Sequence, residues 1–340
     1  MMISRKTFLR GLAGAMLLAW PHTSWADMME DLAREAANGP AVIWYESSPE
    51  EQADKIVDAF NATYPDIEVR HVRLTGGNQL GARAIQEVEA RGHTADLLTG
   101  GAAHTWSLNE RGILLNMDYT TLGIPKDLTP TDFTVATAAS VYAVIWNKTL
   151  VDDADVPNSW DDMADPKWTG KMGSWVRAAA FAQLAKKMGE DRAEELLNKF
   201  VALKPLLFKS TFPLAQQVAA GEVALALGFY HTAQPPLKAG APLGVKALDP
   251  TPMHTIFTSI SKDAPNQAGA KVLLAWLVSP EGAKAYEEAT NRGSAILPGT
   301  KTHELVSKVD TSEWPAEETA EYSAIGDRFN KILAEVGDAR

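Results

Sequence analysis

The spacing of hydrophobic residues changes twice within residues 41–77, AVIWYESSPEEQADKIVDAFNATYPDIEVRHVRLTGG. Residues 41–45 form a short apolar run that is typical of a buried strand, and Ile56, Val57 and Phe60 lie on one face of a helix over residues 51–64. The preceding Ser47 or Ser48 is a natural cap for that helix. Residues 67–74 alternate between apolar and polar side chains, as a strand does. The stretch therefore predicts a strand–helix–strand unit.

The following residues continue the same alternation. Residues 80–92 predict a helix and residues 95–99 predict a third strand. A β-α-β-α-β order with short loops indicates a parallel sheet covered by helices. The sequences ESSPE, TGGNQ and TGGAA then fall at the carboxyl ends of the strands, where such sheets bind ligands.

The second half of the chain carries further elements without a linker between them. The pattern predicts a long strand at 139–147, a polar loop at 157–173, helices at 178–189 and 191–204, and a helix-to-strand turn over 216–231. A strand at 255–261 precedes two helices separated by Pro280, and the last 40 residues predict amphipathic helix with an acidic face. A second lobe is therefore expected to be reached by strands.

The amino terminus has the pattern of an export signal. Arg5, Lys6 and Arg10 precede the apolar run GLAGAMLLAW (11–20), and small residues follow at 24–26. We expect a cleaved signal peptide over residues 1–26 that is similar to a twin-arginine signal, with Sec export as the alternative, and a periplasmic mature protein.

Composition narrows the function classes. The net charge of −11 disfavours nucleic acid as a partner. The absence of cysteine excludes thiol catalysis and zinc–thiolate sites.

SWDDMADPKWTGKMG (159–173) is similar to the segment SWxDLxDPKWKGKI of the extracellular solute-binding proteins of ABC importers, in the branch with ferric-ion-, organophosphate- and polyamine-binding members. VAAGEVALALG (218–228) resembles the same family's helix-to-strand turn. The resemblance implies a periplasmic-binding-protein-like α/β fold, in which two α/β lobes are joined by crossing strands around a ligand cleft. It implies lobe 1 over 27–137 plus 257–300, lobe 2 over 138–256, and C-terminal helices over 301–340 packed on the body. It also implies a monomer that delivers its ligand to an inner-membrane permease.

Thr-Gly-Gly occurs at residues 75–77 and again at 99–101, each time before a predicted helix, and this pattern indicates an anion site. The first N–H groups of a helix have no internal partner, and glycine lets a ligand approach them closely. The alternative is that glycine merely forms the turns. From lobe 1 we predict contacts by Ser47, Ser48, Thr75, Gly76, Gly77, Gly100 and Gly101, and from lobe 2 by Trp175, Arg177, Thr211, Tyr230 and His231.

Most tryptophans are predicted to be core, with Trp106 and Trp175 nearer the cleft. Because the predicted cleft loops offer glycine N–H groups, hydroxyls and Arg177, we expect a small carboxylate- or phosphate-bearing ligand, with no cofactor and no metal.

Two alternatives stay open at this stage. Ferric iron would need anionic oxygen ligands, which only Glu46 and Tyr230, beside His231, could supply. An enzyme on the same lobes is the other alternative, although the chain has none of the G-x-S-x-G, H-E-x-x-H, P-loop or dinucleotide motifs.

Overall fold

The computed structural model describes residues 25–74 and 77–337. The predicted signal peptide therefore lies outside the described residues, apart from Trp25 and Ala26 at the start of the first helix. Within the described ranges, no helix is both long and apolar enough to cross a bilayer.

The first part of the chain forms three parallel strands covered by helices. Its elements are α1 (Trp25–Ala37), β1 (Val42–Glu46), α2 (Glu50–Thr63), β2 (Val69–Arg73), α3 (Gly77–Arg91), β3 (Leu97–Gly101) and α4 (Ala102–Glu110). β1 pairs in parallel with both β2 and β3, which confirms the predicted β-α-β-α-β sheet.

The second part contains a smaller group of strands. Its elements are β4 (Val135–Asn147), α5 (Trp160–Met163), β5 (Met172–Trp175), α6 (Ala179–Met188), α7 (Glu190–Ala202), β6 (Leu206–Phe208), α8 (Thr211–Ala219), β7 (Leu225–Phe229), α9 (Tyr230–Lys238) and β8 (Leu243–Lys246). β5 pairs in parallel with β6 and with β7. The predicted loop at 157–173 contains α5, because Ser159 and Asp162 form a reciprocal capping box there.

The remaining elements return to the first lobe and then cross the back of the molecule. They are β9 (Thr251–Ile260), α10 (Gln267–Leu277), α11 (Pro280–Thr290), α12 (Lys301–Val306), β10 (Thr311–Ser312) and α13 (Thr319–Ala334). Pro280 is the first residue of α11, as its position between two predicted helices requires. The prediction of helix throughout the last 40 residues is wrong, because β10 pairs with β9 between the two helices.

Two long antiparallel strands join the lobes into one sheet of order β2-β1-β3-β9-β4-β7-β5-β6. The first half of β4, from Val135 to Val141, pairs with β9, and its second half, from Tyr142 to Trp146, pairs with β7. Thus β4 passes from one lobe to the other, and the protein has two α/β lobes with crossing strands between them.

Each lobe has its own hydrophobic core. The five tryptophans predicted to be core are buried, namely Trp44, Trp146, Trp160, Trp168 and Trp276. Trp44 and Trp276 belong to the core around β1 and α10, whereas Trp160 and Trp168 pack with α6 and α7. α13 adds Ile325, Phe329 and Leu333 to this second core.

The predicted serine cap of α2 is wrong. The cap position is Pro49, and no side chain caps this helix. Ser48 instead donates its backbone N–H to the carboxylate of Glu46, so the segment after β1 turns back onto the strand end.

Glu313 links the C-terminal segment to the crossing strand β9. Its carboxylate accepts hydrogen bonds from the backbone N–H and the hydroxyl of Thr255, the latter at 2.6 Å. Burial raises the pKa of Glu313 to about 7, despite the opposing effect of these hydrogen bonds. The folded protein therefore retains this proton at pH values where the unfolded chain has lost it.

We expect Glu313→Gln to gain stability relative to the wild type as pH rises from about 4.5 to 7, by roughly 1–3 kcal/mol. The pKa of Glu313 is about 7 in the folded protein and 4.5 in the unfolded chain, so protonation of this carboxyl stabilises the folded state fully below pH 4.5. The wild type loses this stabilisation as pH rises through 7, whereas the glutamine variant does not titrate. Denaturant unfolding across this pH range measures the difference. The exposed Glu317→Gln is the control, and an unchanged pH profile in Glu313→Gln would contradict the assignment.

Candidate functional site

A cleft of about 560 Å³ lies at the carboxyl ends of strands from both lobes. Glu46 at the end of β1 and Gly100 at the end of β3 line one wall. Trp175 at the end of β5 and Phe229 at the end of β7 line the other. The predicted crevice at the strand ends is therefore present.

Most of the predicted site residues that the structure describes meet in this cleft. Those that line it are Ser47, Gly100, Gly101, Trp175, Arg177, Thr211 and His231. Ser48 is buried, and Gly77 is the first residue of α3. Thr75 and Gly76 lie outside the described residues.

Tyr230 does not face the cleft, so its predicted placement is wrong. It lines a separate depression with Trp146, Lys246 and Lys301. The reason is that β7 ends at Phe229 and α9 begins at Tyr230. Successive residues of a helix point about 100° apart, so His231 reaches the cleft while Tyr230 turns away from it.

The second Thr-Gly-Gly sequence is strand rather than turn. Gly100 and Gly101 are the last residues of β3 and pair with Phe257 and Ile256 of β9. Gly101 also occupies the cap position of α4, which has no side-chain cap. The uncapped N–H groups of α4 therefore begin directly beside the cleft.

Trp106 is partly buried, packs against the core of lobe 1 and is not among the residues that line the cleft. Its ring packs edge-on against Phe133 at 4.9 Å and against Phe257 at 5.5 Å.

Three cations line the cleft, of which the sequence patterns revealed only Arg177. The other two are Lys209 and Arg292. Among the described residues none of the three forms an ion pair within 4.0 Å, and the Nε of Arg292 is buried without a hydrogen-bond partner. Of the described residues that line this cleft, Glu46 alone carries a carboxylate. The cleft is thus locally positive although the chain is acidic.

Glu46 is a buried, fixed charge at the base of the cleft. Its Oε1 accepts a hydrogen bond from the Tyr286 hydroxyl at 3.1 Å, and the Nε2 of His71 lies 3.8 Å from its Oε2. Burial alone would raise the pKa of Glu46, but the contacts of His71 and Ser48 and the charge of Arg292 outweigh it and lower the pKa below 4.5.

Three histidines also line the cleft, and burial lowers the pKa of each. The pKa of His254 falls to about 4, that of His231 falls well below 6.5, and that of His104 falls as well. For His231 the charge of Arg292 adds to the effect of burial. These imidazoles are therefore neutral at pH 7, and each offers one donor and one acceptor nitrogen. Across the part of the chain that the structure describes, no three His, Cys, Asp or Glu side chains form a group that could hold a metal.

The sequence profile of bacterial extracellular solute-binding proteins matches residues 55–316. The chain belongs to this family. Solved structures agree with the fold of such solute-binding proteins. Iron-bound HitA from Pseudomonas aeruginosa has a TM-score of 0.71 at 19% identity, covering 88% of this chain and 100% of that one. AfuA from Actinobacillus pleuropneumoniae, with bound fructose-6-phosphate, has a TM-score of 0.64 at 20% identity, covering 87% and 98%.

A relative of this solute-binding protein exists in Haemophilus influenzae. That uncharacterized protein is 28% identical over 158 residues. The match spans 44% of this chain and 44% of the relative, so the chain spans less than half the length of the curated relative that it matches.

We expect Glu46→Gln to destabilise the protein by about 1–3 kcal/mol at pH 7, because the single amide oxygen of glutamine cannot accept the hydrogen bonds of both Tyr286 and Ser48 and the amide carries no charge. The depressed pKa stabilises the folded state above the unfolded value of 4.5 and loses this effect as pH falls. The deficit should therefore shrink in acid. Urea unfolding at pH 7 and at pH 4 measures it. The exposed Glu68→Gln is the control, and equal stability of Glu46→Gln and wild type at pH 7 would refute the role.

Proposed function

We propose that this protein captures a small organic anion, with a carboxylate, phosphate or phosphonate group, and delivers it to the permease of an ABC importer. The convergence of Arg177, Lys209 and Arg292 on a cleft whose described lining has one carboxylate carries this proposal. A charged hydrogen bond contributes about 1.5–3 kcal/mol, so two or three such contacts support specific binding.

The anion would be held from both lobes. Lobe 1 offers the hydroxyl of Ser47, the backbone at Gly100 and Gly101, and the start of α4. Lobe 2 offers Arg177, Lys209 and Thr211. Arg292 lies beside the crossing strand, because the carbonyl of Gly293 accepts a hydrogen bond from the N–H of Ala139 at 2.8 Å.

Closure of the lobes would follow ligand binding. We place lobe 1 at 27–137 plus 257–300 and lobe 2 at 138–256, with residues 301–340 packed on the body. An anion that contacts both lobes binds the closed form better than the open form and shifts the population toward closure. We also propose that the signal at residues 1–26 directs export to the periplasm and that the protein acts as a monomer.

Ferric iron is less well supported than an organic anion. Of the residues that an iron site would draw on, Glu46 and His231 line the cleft but Tyr230 does not. A hard Fe³⁺ ion prefers anionic oxygen ligands, and three cations would repel it.

We also expect that the protein binds its ligand without converting it chemically.

Arg177→Gln and Lys209→Gln should each weaken anion binding by about 10- to 100-fold, because each removes a charged hydrogen bond. Both residues are exposed, so the variants should fold normally. The ligand is first chosen by thermal shift from carboxylates, phosphate esters, phosphonates, polyamines and Fe³⁺ with citrate, and its affinity is then measured by calorimetry. Arg111→Gln makes the same charge change outside the cleft and should leave the affinity unchanged. Stabilisation by iron or polyamine alone would refute the proposal.

Gly101→Ala should weaken binding by about tenfold or more without loss of stability, because its methyl group would keep the anion from the start of α4. The backbone there has φ −83° and ψ 165°, which alanine adopts, and an added β-carbon meets nothing within 4 Å. Gly326→Ala is the matched control, since its β-carbon also meets nothing within 4 Å and it lies in α13. Wild-type affinity in Gly101→Ala would show that the anion does not approach this backbone.

A further inference from the structure

A row of rings forms one wall of the cleft. We name it the aromatic wall, and it consists of Trp175, Phe229, His231 and Phe212. The ring of Trp175 lies 5.7 Å from that of Phe229, which stacks on His231 at 5.3 Å. The ring of Phe212 meets His231 edge-on at 5.9 Å. All four residues belong to lobe 2, so the wall is continuous along that lobe.

Phe212 is the unusual member of this wall. It is 43% exposed, and among the described residues only Leu150 and Ile296 are comparably exposed large hydrophobic side chains. Neither of those two lines the cleft. An apolar ring that faces the water of a binding cleft gains contact area only when a ligand covers it.

Charges flank the aromatic wall at both ends. The guanidinium of Arg177 lies 5.2 Å from the centroid of the Trp175 ring. Lys209 lies three residues before Phe212, just ahead of α8, and the charge of Arg292 acts on His231. A ligand whose acidic group binds one of these cations would place the rest of its structure against a ring of the aromatic wall.

His231 adds a polar group within the aromatic wall. Its side chain is only 4% exposed, it lines the cleft, and its Nδ1 has no hydrogen-bond partner among the described residues. A buried polar atom without a partner is costly, and a ligand group that hydrogen-bonds this nitrogen would offset that cost.

We propose that the ligand is an aromatic acid, either an aryl carboxylate or an aryl phosphate, whose ring lies on the aromatic wall at Phe212 and Trp175. The acidic group binds the flanking cations, and a polar ring substituent pairs with Nδ1 of His231. The cleft volume of about 560 Å³ is in the range of small-molecule sites. This inference rests on the proposed function, because it specifies the anion that the same cleft binds.

Charge-matched pairs of probes test the inference. Calorimetry compares phenyl phosphate with cyclohexyl phosphate, and benzoate with cyclohexanecarboxylate, on the ligand-stripped protein. We expect the aromatic member of at least one pair to bind about tenfold more tightly, since favourable aromatic contacts exceed simple area burial. Equal or weaker binding of both aromatic members, or no binding of any of the four, overturns the aromatic inference.

The outcomes separate this inference from the proposed function. If the saturated member of each pair binds as tightly as its aromatic partner, the anion function stands and the aromatic preference fails. If only polyamines or iron bind, both fail.

Substitutions at Phe212 provide a second test. Phe212→Leu should lower the affinity for the aromatic probe about fivefold more than that for its saturated partner, whereas Phe212→Tyr should keep the preference. Leu150→Ala changes an exposed apolar side chain outside the cleft and is the control. Equal weakening of both probes by Phe212→Leu would overturn the stacking role.

Discussion

The pairing of β4 with two different strands holds the molecule together. β4 is buried along nearly its full length, and it contributes to the sheet of each lobe in turn. Because β4 pairs with a strand of each lobe, it joins the two lobes through one continuous sheet. The carboxyl ends of the parallel strands from both lobes therefore face one another, and the cleft lies where they meet.

The electrostatics of the cleft follow from this arrangement. The chain is acidic, with a net charge of −11, yet three cations without ion-pair partners in the described structure line the cleft. Burial keeps the three histidines neutral, so the positive charge comes from arginine and lysine. The buried carboxylate of Glu46 is satisfied by its own neighbours. Net charge thus says little about the ligand, whereas the local charges favour an anion.

Local sequence patterns predicted the first lobe well, because the spacing of apolar residues distinguishes strands from helices and the short loops force neighbouring elements to pack together in a β-α-β-α-β unit. They missed β6 and β8, which have three and four residues and are too short to show alternation. Arg292 has no periodic signal, and the hydrogen bond of Gly293 to the crossing strand brings it to the cleft. Tyr230 was misplaced because a strand becomes a helix at that residue, which tertiary packing decides.

A crystal structure of the mature protein with its tightest-binding anion tests the central claim most directly. We predict that the acidic group lies within hydrogen-bond distance, about 3.5 Å, of Arg177 or Lys209 on one lobe and of Arg292 or the start of α4 on the other. An acidic group more than about 6 Å from all of these groups, beyond any direct hydrogen bond, would contradict an anion site built from both lobes.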